Sequence, residues 1–152
     1  MPDFLPMLIE QHRHRPGGLL PFLHAVQDTL GYVPAEAVGS IAKGFNLSRA
    51  EVHGVISYYH HFRDTPPGRT VVQVCQAESC KACGSDGLMA EVEKRLGIKA
   101  HQTRADGAVS LEPVYCLGLC AQSPAMQVNE RVFARVTVER LPALLGAVEA
   151  MK

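Results

Sequence analysis

From Leu19 to Leu30 the apolar positions recur at helical spacing: Leu19, Leu20, Leu23, Val26 and Leu30 share one face, and Gly31 closes the run. Pro34 suits the first turn of a second helix, "PAEAVGSIAKG", with Gly44 as its natural stop. Ser48 and Glu51 form an S-x-x-E capping box that opens a third helix, "SRAEVHGVISYYHHF". Val52, Val55, Ile56 and Tyr59 then line one face of it. The start of the chain, around His12 and His14, reads as disordered. The paired prolines of "RDTPPGR" cannot continue a helix and read as a linker.

After the linker the period changes. "RTVVQVC" is β-branched and predicts a buried strand ending at Cys75. "SDGLMAEVEKRLGI" places Leu88, Met89, Val92 and Leu96 on one helix face, with Gly97 behind it. The Asp-Gly turn in "ADGAVSLEPVYC" leads into a second stretch that reaches Cys116. Two alternating runs about Asn129 and Glu130 predict a hairpin. "TVERLPALLGAVEAM" closes the chain as a helix with Pro142 in its first turn. The second half therefore reads β-α-β-β-β-α, or close to it. The expectation is an α+β protein, a helical domain over residues 1–66 followed by an α/β domain over 67–152.

Composition narrows the class. The chain has 152 residues, 47% hydrophobic and 20% charged, the balance of a soluble globular protein. No apolar run approaches the ~18 residues of a membrane span. The first residues lack the basic and long apolar regions of a secretory signal, so the expected location is cytoplasmic. With 15 basic and 15 acidic residues the net charge is zero, which counts against a nucleic-acid partner. "IAKGFNLSRAEVHGVISYY" has the outline of a helix-turn-helix, but its second helix is apolar and offers phosphates little beyond Arg49. No Gly-rich phosphate loop precedes a helix, so NAD and FMN have no binding motif here.

The cysteines carry the chemistry. Cys75, Cys80 and Cys83 fall within "VCQAESCKACG", and Cys116 and Cys120 within "VYCLGLCAQSP". In a cytoplasmic chain five thiols read as metal ligands or redox groups rather than disulfides, and soft thiolates favour zinc or iron–sulfur clusters. Two iron readings compete. One takes Cys75, Cys80 and Cys83 as C-x4-C-x2-C plus one later cysteine, the plant-type spacing. The other takes two pairs, Cys75 with Cys80 and Cys116 with Cys120. Two irons need two thiolates each, and both pairs begin as a strand ends. Adjacent strands would deliver both loops to one end of a sheet, whereas the plant-type reading leaves the second loop half employed. The two pairs are favoured, with Cys83 left over.

These residues carry a resemblance. "LLPFLHAVQDTLGYVP", "VHGVISYYHHF", "VQVCQAESC" and "YCLGLCAQSPAMQVN" resemble the thioredoxin-like [2Fe-2S] family. That family includes the 24-kDa-type subunit of NADH:quinone oxidoreductase and the gamma subunits of soluble NAD-dependent formate dehydrogenases and hydrogenases. "CQAESCKACG" resembles the gamma subunit of the molybdenum formate dehydrogenases most closely. The resemblance implies one [2Fe-2S] cluster on Cys75, Cys80, Cys116 and Cys120, and a helical part followed by a thioredoxin-like part. It also implies two partners: a flavin subunit that alone holds FMN and NAD, and a larger iron–sulfur/molybdenum catalytic subunit. No catalytic residue is expected in this chain, which would pass single electrons.

Structural zinc is the bland alternative, but its usual pairs are C-x2-C, shorter than these. Only Cys80 and Cys83 supply the C-x-x-C of a thiol oxidoreductase. None of the seven histidines adjoins a cysteine pair, which leaves a Rieske-type His/Cys site without support. A free ferredoxin would be expected to be strongly acidic, which this chain is not. We predict no sequence-specific DNA binding by the helical half: titration of DNA at low and moderate salt should show no sequence preference and no steep salt dependence.

Overall fold

A computed structural model describes residues 4–149, with side chains described through Gly146. Contacts divide the chain into two compact units, Met1–Pro66 and Pro67–Lys152. The terminal residues 1–3 and 150–152, and with them the end of the predicted last helix, lie outside the described residues. The expected class is what the structure shows: helices first, then a mixed sheet with helices packed on it.

The described residues of the first unit form four α-helices, α1 (Leu5–His12), α2 (Leu19–Leu30), α3 (Val38–Phe45) and α4 (Arg49–Tyr58). They enclose one core of Leu5, Phe22, Leu23, Val26, Ile41 and Val52, with Val33 and Phe62 from the connections. The capping box at α4 forms as predicted: Glu51 N–H donates to Ser48 Oγ at 3.1 Å, and Ser48 N–H donates to the Glu51 carboxylate at 2.7 Å.

Three expectations are corrected. Leu5–His12 is helical rather than disordered, and α1 buries Leu5 completely. Gly44 does not end α3, which continues to Phe45 and stops at Asn46 in the left-handed region. Its role is packing: a Cβ at Gly44 would stand 2.5 Å from Ile9 Cγ2, so the missing side chain lets α1 approach. α4 ends at Tyr58 rather than running to Phe62, and Tyr59 is exposed instead of on the packed face. The cause is Gln27 on α2. Its amide donates to His61 O at 2.7 Å and accepts from Arg63 N–H at 2.8 Å, fixing this segment in a non-helical path.

The second unit is built on a five-stranded sheet of order β2-β3-β1-β4-β5. The strands are β1 (Thr70–Cys75), β2 (Gln102–Thr103), β3 (Val109–Val114), β4 (Met126–Val128) and β5 (Arg131–Phe133). β1 and β3 are parallel over six residues, Thr70 opposite Val109 and Cys75 opposite Val114; the other pairs are antiparallel. Between β1 and β2 come a short helix, α5 (Glu78–Ala82), and α6 (Ser85–Leu96); α7 (Leu141–Glu149) follows the sheet. Leu88, Met89, Val92 and Leu96 are buried against Val72, Val74, Val109, Leu111 and Met126, with Leu141 and Leu145 of α7 in the same core.

The β4–β5 hairpin turns at Asn129 and Glu130 as predicted, with Asn129 at φ +51°. The Asp-Gly turn before β3 also forms. There the Arg104 guanidinium and the Ala108 N–H hold the Asp106 carboxyl at about 2. Not foreseen were α5 and the two-residue β2, both too short to show a period. β3 ends at Val114, so Cys116 stands in the loop beyond it.

Gly68 is needed where β1 begins. Its N–H donates to Ser110 Oγ at 2.7 Å, and a Cβ there would lie 2.6 Å from the Val109 backbone, which cannot move aside. Gly68→Ala should destabilise the fold by about 1–3 kcal/mol. Gly54, inside α4 with open space around it, should behave oppositely, Gly54→Ala stabilising by about 0.5–1 kcal/mol. Denaturant titrations of both variants check the pair of signs.

Candidate metal centre

The parallel pairing of β1 with β3 carries two loops off the same end of the sheet. The ladder extends just past the strand ends: Cys75 N–H donates to Ala125 O at 3.0 Å and Gln76 N–H to Val114 O at 2.7 Å. Cys75 ends β1 and Cys80 lies in α5, both buried. Cys116 and Cys120, in the loop after β3, are exposed. Apolar groups surround the inner pair, namely Ala125 with Ala77, Val114, Leu117 and Leu119.

The thiols stand as two pairs. Cys75 and Cys80 are neighbours that perturb one another, and Cys116 Sγ is 3.6 Å from Cys120 Sγ. Two thiolates on one tetrahedral ion, with bonds of about 2.3 Å, stand about 3.7 Å apart. The outer pair therefore already has the spacing of two ligands on one metal, and the two pairs are close enough that Cys120 responds to Cys75 and Cys80. Among the described residues, no three His, Cys, Asp or Glu side chains converge to hold a single ion. The two loops present their thiols two and two. Cys83, at the end of α5, is exposed, and its N–H caps the helix on Ser79 O and Cys80 O.

The loops also supply donors to sulfur. Gly118 N–H donates to Cys116 Sγ at 3.3 Å, and the N–H groups of Ala77 and Leu117 reach Cys75. Gly118 makes its approach at φ +75°, which glycine adopts without cost. Cys116 itself sits at φ +119°, a region rare for a residue with a Cβ and worth about 1–3 kcal/mol of strain held by the surrounding loop.

Burial pushes the Cys75 thiol up, and so does its neighbour Cys80, against the Ala77 and Leu117 N–H groups. Burial acts the same way on Cys80 but is outweighed there by Ser123 Oγ, the Cys75 thiol and the Ala125 N–H, so Cys80 moves down. The adjacent Cys116 raises Cys120.

Two hydroxyls in this site went unnoticed in the sequence. Ser79 and Ser123 lie one residue before Cys80 and three after Cys120, and Ser79 Oγ donates to Cys120 O at 3.0 Å, tying one loop to the other. Only their place beside the ligand-like cysteines marks them, since serine is common in loops. Glu78, between the two inner cysteines, is exposed, and Lys81 pairs with Asp86 at 3.7 Å.

Comparison with known proteins agrees with this geometry. Residues 5–149 match the thioredoxin-like [2Fe-2S] ferredoxin family. The chain is 35% identical over 139 residues to NADH-quinone oxidoreductase subunit 2 of Thermus thermophilus, covering 91% of this chain and 77% of that one. It is 31% identical over 138 residues to the NADP-reducing hydrogenase subunit HndA of Solidesulfovibrio fructosivorans, covering 91% and 81%. Among solved structures it resembles a chain of an NAD+-reducing [NiFe]-hydrogenase in the air-oxidized state, with TM-score 0.71 and 28% identity. That match covers 88% of this chain but only 23% of the hydrogenase chain. The cofactor that goes with the family is one [2Fe-2S] cluster, and the paired thiols, the N–H donors and the apolar floor fit it.

Burial and exposure order the thiols when iron has been removed. Alkylation under reducing conditions should modify Cys83, Cys116 and Cys120 well before Cys75 and Cys80, read by peptide mass spectrometry over time. Equal rates at all five would show that the inner pair is not enclosed.

Proposed function

The chain belongs to the thioredoxin-like [2Fe-2S] ferredoxin family, and from that premise we propose that it is the [2Fe-2S] electron-transfer subunit of an NAD-linked oxidoreductase complex. Cys75 and Cys80 hold one iron, Cys116 and Cys120 the other, and Cys83 is not a ligand. The convergence of the two cysteine loops at one end of the β1–β3 pair carries this assignment. The division of the chain into a helical domain over 1–66 and a cluster-bearing domain over 67–152 is part of the same proposal.

When bound, the cluster takes up and releases one electron at a time. The chain's own residues supply what that requires. Four thiolates bind the irons, and N–H groups of Ala77, Leu117 and Gly118 offset negative charge on the sulfurs. The buried inner pair keeps water from one side, while the exposed Cys116–Cys120 loop leaves the other side open to a partner. Hydride chemistry belongs to a flavin subunit that binds FMN and NAD, for which this chain has no motif.

Similarity to a subunit of NADH-quinone oxidoreductase and to hydrogenase chains supports a parent complex of one of those two types. These relatives favour that reading over formate dehydrogenase with its molybdenum subunit, for which only the likeness of "CQAESCKACG" speaks. Among the described residues no helix is long and apolar enough to cross a membrane. A peripheral subunit on the cytoplasmic side accords with that.

The purified chain should be red-brown with about two irons and two labile sulfides. Replacing Cys75, Cys80, Cys116 or Cys120 by serine should lose or cripple the cluster, whereas Cys83→Ser should keep it. Iron analysis and EPR after dithionite read both. Iron lost with Cys83→Ser but kept with Cys120→Ser would establish the plant-type ligand set instead. NADH should not reduce the isolated chain, and the chain drawn from its own cells should carry a flavin protein; recovery as a free monomer would overturn the subunit assignment.

A further inference from the structure

Ser79 and Ser123 form a small hydroxyl network against Cys80 and the Cys120 carbonyl. Ser123 Oγ lies 3.4 Å from Cys80 Sγ, 3.0 Å from Ser79 Oγ and 3.0 Å from Cys120 O. Ser79 Oγ lies 3.0 Å from the same carbonyl. Two hydroxyl protons thus face three acceptors, the Cys120 carbonyl, whichever hydroxyl oxygen accepts, and the Cys80 sulfur, and they satisfy two of them at a time.

A cysteine bound to iron has no proton and can only accept. If the contact between Cys80 and Ser123 persists in the loaded protein, Ser123 must be its donor. Ser79 keeps the Cys120 carbonyl satisfied when that happens, because it donates to Cys120 O in its place. A charged acceptor also binds a hydroxyl more strongly than a neutral carbonyl does, which draws the Ser123 proton to sulfur.

We propose that Ser123 is a potential-setting residue, its hydroxyl donating to the Cys80 thiolate and favouring the reduced cluster, with Ser79 freeing that hydroxyl by occupying the Cys120 carbonyl. The proposal rests on the reading of Cys80 as a ligand. Reduction adds one negative charge, part of which falls on the ligand sulfurs, so a donor aimed at one of them stabilises the reduced form more than the oxidised. Ser123 does not bind the irons. It acts through Cys80, in a loop that also holds Cys120, and so couples the two ligand loops electrically as well as mechanically.

The test is a mediated redox titration of the full chain with its cluster, followed by EPR. Ser123→Ala should make reduction harder by between about threefold and about tenfold, tenfold being about 59 mV for one electron. Threonine and valine have nearly the same shape, so Ser123→Thr and Ser123→Val isolate the hydroxyl even if alanine loosens the loop. The threonine variant should stay near the native potential and the valine variant should fall with alanine. Ser79→Ala should give a smaller fall in the same direction, because the Cys120 carbonyl then competes for the Ser123 proton. Equal potentials for the threonine and valine variants, with iron retained, would overturn the role of Ser123 and leave the ligand assignment standing. Native iron content and potential in Cys80→Ser would instead overturn the ligand assignment itself.

Discussion

Six consecutive residues join β1 to β3 in parallel, and the cysteine site depends on that direction. In an antiparallel pair the segments following the two strands would leave from opposite ends, and Cys75 and Cys116 would be separated by the length of the ladder. Parallel strands need a long crossover between them. Here it contains α5 and α6, and α6 covers the sheet with Leu88, Met89, Val92 and Leu96. The same crossover therefore completes the core and places Cys80. β4 then pairs with the other edge of β1, so Ala125 O receives the Cys75 N–H. The first ligand-like thiol is held between two neighbouring strands.

From this frame the two loops differ in character. The inner one is short and helical, with its two thiols, Cys75 and Cys80, buried on an apolar floor. The outer one is exposed and shaped by its backbone, with Cys116 at one positive φ and Gly118 at another. Burying anionic sulfur is costly unless donors face it, and backbone N–H groups are rigid donors that cannot turn away. The asymmetry between an enclosed pair and an open pair suits a one-electron carrier, which has to shield its cluster yet bring one side close to another protein.

The helical unit is held by a different kind of interaction. Gln27 is a buried polar side chain in an apolar core, and its amide uses both ends on the backbone of residues 61 and 63. A buried amide left unpaired would cost about 1–3 kcal/mol, so these bonds fix the chain path after α4 firmly. Val33 N–H donates to Arg63 O at 2.7 Å and closes the same junction. The segment that would otherwise continue α4 turns back over α2, and Phe62 enters the core.

The sequence by itself determined the elements whose signal is local and periodic. The apolar stripe of α6, the Ser48–Glu51 capping box, the turns at Asn129 and Asp106, and the burial of β1 follow from spacing and backbone preference. So does the suspicion that Cys75, Cys80, Cys116 and Cys120 act together, because each pair follows a strand. Tertiary structure decided what no local pattern carries. Gly44 looked like a helix stop because glycine ends helices, but contact with Ile9 is what requires it. α4 kept an apolar pattern as far as Tyr59, yet hydrogen bonds from Gln27, far away in sequence, ended it. The place of Ser123 beside Cys80 is of the same kind: 43 residues separate them along the chain, and only the alignment of two strands puts the hydroxyl against the sulfur.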